Sequence, residues 1–475
     1  MNIMYKLFIF IVAAFFATNN IYAETISCDN IFDGKKYNEC ITERIVNLCK
    51  VDNLANNFKC LENHGNKGDA DIQFILGSMY RDGYLVEEDR QKAYDWYLKA
   101  AKQGNLDAQY DLGILHLEGY ADVVLQNDSK SYEYIKAAAE KGHVQSQYKL
   151  GDLYHLGNSE VEKDYEKAYK WYSKSAHSGY KWAEYSLGWA YHNAEYVEKD
   201  IDEAIKWYLK AADKEVVYAE YELCNIGSDP NFSFEKDILD LEKTVRWCKI
   251  SAEHGHPGAQ YKLANLYKGK LGLEKDDKKS IYWYRKSAKQ GYAEAQFDLG
   301  IIYMEGKIID KNISESIIWW IKAAEQGHIE SQYHLGSLYY NKNDDEDDYE
   351  KALYWWKMSS LQEHAKSQYH LWTIYHTGRG VKKDNNEAYY WLKAAAQNGY
   401  GSAQYELAKN YLNGTLVEQD FYHAYVWLLM AGTNGVGGAV ESIINVNWDY
   451  HLNPEDVKNA ILEAKKLLNN NKNSI

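Results

Sequence analysis

One motif recurs along this chain at a spacing close to 36 residues, and that spacing constrains the fold more than any other feature. The segment AQYDLGILHLEG (108–119) returns as SQYKLGDLYHLG (146–157), AEYSLGWAYHNA (183–194), AEYELCNIGSDP (219–230) and AQYKLANLYKGK (259–270). It continues as AQFDLGIIYMEG (295–306), SQYHLGSLYYNK (331–342), SQYHLWTIYHTG (367–378) and AQYELAKNYLNG (403–414), after a degenerate first copy, DIQFILGSMYRDG (71–83). The residue after the leucine is usually small: Gly77, Gly113, Gly151, Gly188, Cys224, Ala264, Gly300, Gly336, Trp372 and Ala408. A second motif, typified by AYDWYLKAAKQG (93–104), follows each first one. Self-similarity at a fixed period is the signature of an array of identical supersecondary units.

Both motifs read as helices. In one copy of the first, Ala295, Leu299, Ile302 and Tyr303 fall on a single helical face. The second ends in small residues and a glycine stop, as in Ala323, Ala324 and Gly327. Before each second helix stands a residue able to accept from orphan N–H groups: Asp89, Asp128, Asp164, Asp200, Asp240, Asp276, Asn312, Asp348, Asp384 or Asp420. The small column is expected to let the two helices approach closely, with the tryptophan of the second motif filling the space beside it. A pair this short cannot bury its own apolar face, so ten pairs must stack into an α-solenoid.

Composition agrees with a large buried core. The chain has 475 residues, 46% of them hydrophobic, with 44 Tyr, 15 Trp and three Pro. Its net charge of −15 argues against a nucleic-acid partner, which needs a basic stripe. Residues 1–23 combine Lys6, the apolar run Leu7–Ala17 and a small Ala23, the layout of a cleaved secretory signal. The expected location is periplasmic or extracellular, in a Gram-negative bacterium, with no membrane span in the mature chain. Six cysteines follow: Cys28, Cys40, Cys49, Cys60, Cys224 and Cys248. An even number in an exported chain suggests disulfides. The first four are expected to staple a helical hairpin, roughly Tyr37–Cys49 and Asn53–Glu62, in any of three pairings. Cys224 sits in the small-residue column and Cys248 follows Trp247 in the paired helix, so those two are expected to bridge at the crossing.

The pattern A-x-x-x-L-G-x-x-Y followed by D-x-x-K-A-x-x-W-Y-x-K-A-A-x-x-G resembles the Sel1-like repeat, a relative of the tetratricopeptide repeat, over about residues 68–437. The resemblance implies an all-α, right-handed solenoid of about ten antiparallel helix pairs. A cysteine-rich N-cap would occupy 24–67, and a capping helix and tail 438–475, with Asn453 as its cap and fraying after 468. Copy five departs most, with Glu215 in place of the terminal glycine and an insertion around Ser228–Lys236. The resemblance also implies a non-catalytic scaffold, without cofactor or metal, that binds a protein or peptide in a concave groove. A glycan-binding or polysaccharide-export accessory is the alternative. A β-lactamase-like hydrolase is a remote one, because Ser146-Gln-Tyr-Lys149 matches S-x-x-K with no accompanying motif.

The groove is expected along the first helices. An aromatic column three before the small residue (Tyr110, Tyr148, Tyr185, Tyr221, Tyr261, Phe297, Tyr333, Tyr369, Tyr405) reads as packing between copies, or else as groove lining. The columns one and four after the small residue vary from copy to copy, as a binding surface requires. They supply the candidate contacts Trp189, His192, His155, Met304, Tyr340 and His376. Trp189 is the expected anchor, with packing on a neighbouring helix as the alternative. His334 and His370, one repeat apart, read as packing between repeats rather than as metal ligands. The acidic run Asp344–Asp348 reads as a solvated loop ending in a cap.

Overall fold

The computed structural model describes residues 54–229, 239–269, 273–342, 346–449 and 452–472. It is all-α, and no β-strand occurs among the described residues. Two compact units divide the chain between Thr244 and Val245. The first holds α1 (Leu54–Asn66), then the repeat pairs α2 (Ala70–Asp82) with α3 (Arg90–Lys102), α4 (Leu106–Glu118) with α5 (Asp128–Glu140), α6 (Val144–Leu156) with α7 (Tyr165–His177), and α8 (Lys181–Asn193) with α9 (Ile201–Ala212). It ends with α10 (Val217–Gly227) and the start of α11 (Leu241–Glu253). The second unit continues with α12 (Pro257–Leu266) and α13 (Asp277–Lys289), α14 (Ala293–Glu305) and α15 (Ile313–Glu325), and α16 (Ile329–Lys342) and α17 (Glu346–Ser360). It closes with α18 (Ala365–Thr377) and α19 (Asn385–Gln397), α20 (Gly401–Asn413) and α21 (Phe421–Thr433), then α22 (Gly437–Asp449) and α23 (Pro454–Lys472).

The small column is where paired helices meet, but the tryptophan is not what fills the gap. The next residue does. A Cβ on Gly77 would lie 2.6 Å from Tyr97, one on Gly151 2.7 Å from Tyr172, one on Gly188 2.6 Å from Tyr208, and one on Gly300 2.4 Å from Trp320. Such distances leave no room for any side chain but hydrogen. The preceding tryptophans pack beside the crossing, buried or half-buried, and Lys99, Lys174, Lys210 and Lys322 cover Trp96, Trp171, Trp207 and Trp319 at 3.7–4.4 Å from a ring centroid. Volumes compensate at two crossings, whereas copy six pairs Ala264 with Tyr284. Trp372 and Ala408 occur in the copies whose facing residues are Leu392 and Leu428, not a large aromatic. In copy five Cys224 and Cys248 are disulfide-bonded to each other at these same two positions.

A second regularity carries the stacking. The glutamine of the AQY motif is buried, and its amide donates to a carbonyl at the end of the preceding helix: Gln109 to Ala101 at 3.1 Å, Gln296 to Ala288 at 3.0 Å, Gln404 to Ala396 at 3.0 Å. Its own carbonyl accepts from an amide closing the same repeat, as Gln260 from Gln290 and Gln296 from Gln326, both at 2.8 Å. In copy four the same place holds Glu184, and Lys214 replaces the closing amide at 2.6 Å. These buried amides thus donate without interrupting the apolar stack, although Gln109 and Gln147 have no partner for the carbonyl oxygen among the described residues. Glutamine or glutamate occupies this position in every copy, so the sequence displayed the signal without its meaning.

The caps follow expectation at most second helices; Asp89, Asp164 and Asp276 each accept from the N–H three residues on, at 2.9 Å. Two positions differ. In copy two Asn127 is the cap, while Asp128 lies inside α5 and accepts from Ser159 of the next repeat. In copy eight α17 begins at Glu346, so Asp348 is helical and only 2% exposed, paired with Lys342 at 3.2 Å; it is neither a cap nor part of a solvated loop. Glycine stops recur at positive φ, and Glu215 and Glu363 hold the same left-handed conformation at 61° and 64°.

At the C-terminus α22 was not foreseen, because its sequence lacks the repeat motif and opens on Gly437-Gly438. Asn453 caps α23 as expected, accepting from Asp456 N–H at 2.8 Å, but the helix continues past 468 to Lys472. α1 matches the second half of the expected N-terminal hairpin, and its Cys60 is disulfide-bonded. Residues 1–23, the first half of that hairpin, Cys28, Cys40 and Cys49 lie outside the described residues, as do most of the copy-five insertion and Asp344.

Candidate interaction surface

The aromatic column of the first helices is packing between repeats. Where the crossing residue is aromatic, the ring touches it as well as the residue that precedes the next first helix. Tyr148 meets Tyr172 and Tyr180 with centroids 5.5 and 5.2 Å apart, and Tyr261 meets Tyr284 and Tyr292 at 5.9 and 5.3 Å. Phe297 meets His328 at 4.9 Å, and Tyr333 meets His364 at 5.0 Å. His334 and His370 belong to the same layer. His370 stacks on Trp356 with centroids 4.4 Å apart and 5° between planes, and burial pushes its pKa down to about 4.

The two variable columns vary in step with partners inside the protein. One residue after the small position, the side chain meets the tyrosine hydroxyl buried at the crossing. Ser78 lies 3.1 Å from the Tyr97 hydroxyl, Asp152 accepts from Tyr172 at 2.8 Å, and Asn265 accepts from Tyr284 at 3.0 Å. Four residues after, the side chain reaches into the next repeat. Arg81 pairs with Asp111 at 3.3 Å, His155 meets the Tyr196 hydroxyl at 2.9 Å, and His192 lies 3.7 Å from Glu222. Arg379 donates to the Tyr340 hydroxyl at 3.4 Å. Much of the variation along these columns is therefore internal complementarity, which no pattern within one column could show.

The candidate residues separate accordingly. In the second unit Met304 packs around Trp320 and Leu335, Tyr340 lies 5.3 Å from the Trp356 ring, and His376 stacks on Trp372 at 5.4 Å. In the first unit His155 sits among Tyr165, Tyr172 and Tyr196. His192 is half-buried edge-on to Tyr208, and burial holds its pKa below the ordinary histidine value. Trp189 differs from all of these in being 40% exposed.

Trp189 also breaks the local rule. It occupies the place where Ser78, Asp152 and Asn265 meet the crossing tyrosine, and an indole there offers Tyr208 no acceptor. The Tyr208 side chain is fully buried, and its hydroxyl has no hydrogen-bond partner among the described residues. A buried orphan hydroxyl costs about 1–3 kcal/mol. Copy four thus carries a destabilising residue whose large apolar side chain is left half in water.

Ser146 offers no nucleophile. It is fully buried, and both its N–H and its hydroxyl meet His143 Nδ1, at 3.3 and 2.7 Å, while His143 Nε2 faces Asp107 at 3.2 Å. The Ser-His-Asp order is a helix cap, repeated where His328 and His364 receive Ser331 and Ser367 at 3.0 and 2.8 Å.

Comparison with known proteins accords with this architecture. The Sel1 repeat family matches residues 70–105, 106–143, 144–180, 183–216, 257–292, 293–328, 329–364, 365–400 and 401–436. The gap in that series is copy five, which carries the disulfide. No curated protein matches the sequence. Among solved structures, the chain is similar to a protective antigen present in uropathogenic Escherichia coli strains, described as displaying an SLR fold (29% identity, 88% of this chain and 94% of that one, TM-score 0.45). It is also similar to a Sel1 repeat protein from Oxalobacter formigenes (25% identity, 74% and 89%, TM-score 0.43). With nine matched repeats spanning more than half its length, the chain belongs to the Sel1 repeat family, whose members are generally protein-interaction scaffolds and typically non-catalytic.

Proposed function

We propose that this chain is an exported scaffold that captures a protein or peptide partner on the first-helix face of its N-terminal unit, with Trp189 as the anchor. The observation that carries the reading is the cost at copy four. A polar residue at 189 would satisfy Tyr208, yet an exposed tryptophan stands there. Sites that break a local rule without a structural return are where function is expected. Half-exposed tryptophans suit the purpose, since such anchors dominate interface energetics. The disulfide between Cys224 and Cys248 is compatible with an oxidising compartment. No helix among the described residues is long and apolar enough to cross a membrane.

The decisive variant is Trp189→Asn. It removes the anchor and supplies Tyr208 with an acceptor, so partner capture should fall at least tenfold while the melting temperature holds or rises. A lower melting temperature with unchanged capture would make Trp189 a packing residue. Crosslinking mass spectrometry in the native host identifies the partner. The same preparation tests export, since the protein should begin at Glu24; an intact Met1 end in the cytosol would refute it.

A further inference from the structure

A second face of the molecule changes character partway along the chain. Two residues after the small residue opening each second motif, the side chain is solvent-facing. In the first five copies it is Asp95, Glu133, Lys170, Lys206 and Arg246, all exposed. In the next four it is Tyr282, Ile318, Tyr354 and Tyr390, at 51%, 46%, 56% and 61% exposure. Single apolar residues on a surface need no explanation, but an aligned series marks an interaction site. These four recur at intervals of 36 residues on α13, α15, α17 and α19, so stacking the repeats sets them in one stripe within the C-terminal unit.

Copy ten shows what fits such a face. Its residue in the same column, Val426, is 1% exposed. There α23 packs on α21: Ala460 and Ala464 share a core cluster with Val426, and Tyr422 donates to Glu463 at 2.8 Å. The chain therefore covers the end of this stripe with an amphipathic helix of its own and leaves the preceding four copies bare. Charge adds a direction. Around Tyr282 the exposed residues of α13 are Lys278, Lys279, Arg285, Lys286 and Lys289, in a chain whose net charge is −15. Lys286 Nζ lies 5.0 Å from both the Tyr282 and the Trp283 ring centroids.

We propose that the Tyr282–Ile318–Tyr354–Tyr390 stripe binds an amphipathic α-helix of a partner protein, apolar on one face and acidic on the flank that meets α13. The interaction is helix-on-helix-face recognition read through spaced anchors, and it is independent of the Trp189 site. The test uses a fluorescein-labelled synthetic helix with leucines on one face and glutamates elsewhere, titrated by anisotropy against the full-length chain. Tyr354→Glu combined with Tyr390→Glu should weaken binding at least tenfold with an unchanged melting temperature, as both side chains are more than half exposed. A matched peptide with lysines for glutamates should bind at least tenfold more weakly, and Trp189→Asn should leave the titration unchanged. Equal binding by the double variant, or preference for the lysine peptide, overturns the proposal. So does a dimer in light scattering that the double variant dissolves, since the occupant would then be a second copy.

Discussion

Gly336→Ala tests the helix crossing directly. A Cβ at this position would stand 2.4 Å from Cδ1 and 2.6 Å from Nε1 of Trp356, whereas ordinary contact begins near 3.4 Å. The indole would have to retreat by about 1 Å. It has nowhere to go: Trp356 is 1% exposed, with His370 stacked on it at 4.4 Å and Tyr340 at 5.3 Å. Overpacking of this kind costs about 1–3 kcal/mol. Trp356→Leu alone opens a cavity and costs a similar amount, about 2 kcal/mol. The double variant recreates the Ala408–Leu428 combination of copy ten, so the two losses should partly cancel, with a favourable coupling of about 1 kcal/mol or more. Repeat arrays open in pieces, so native-state hydrogen exchange of the α16 and α17 amides is the suitable assay. Losses that add to within about 0.5 kcal/mol would refute volume matching across the crossing.

Glu363 holds φ at 64° where Gly255, Gly291 and Gly327 stand in other copies with open space around them, so Glu363→Gly should stabilise α17 by about 1 kcal/mol; an unchanged or lower melting midpoint would count against it. Peptide mapping without reduction should recover Cys224 and Cys248 linked, and replacing both by alanine should cost about 2–4 kcal/mol through the freed loop; free thiols at both positions contradict the bond. His370 titrates near 4 in the folded chain because it is buried, against about 6.5 unfolded, so the unfolded state binds the extra proton between those values. Stability should therefore fall as pH drops from 6.5 towards 4, and His370→Phe should flatten that slope in urea titrations; an unaltered slope would show that other groups carry it.

The period, the helix pairs, the caps and the Cys224–Cys248 bridge were legible in the sequence because each is local or repeats in register. A glycine recurring every 36 residues announces a close approach wherever the chain folds. What fills the approach was not legible. Tryptophan and the residue after it are both large, and only the crossing geometry decides that Tyr97, Tyr208 or Trp320 enters the gap while Trp96 and Trp207 pack beside it beneath lysines. The variable columns show the same limit. Ser78, Asp152 and Asn265 look like drift until each is seen against a buried tyrosine hydroxyl contributed by another helix. Trp189 acquires its meaning only there, as the residue that leaves Tyr208 unpartnered. The stripe from Tyr282 to Tyr390 was written in the sequence as a change from charged to apolar at one column. Its exposure depends on where α23 ends its cover, and that is set by tertiary packing because a helix can shield only the neighbour it lies against.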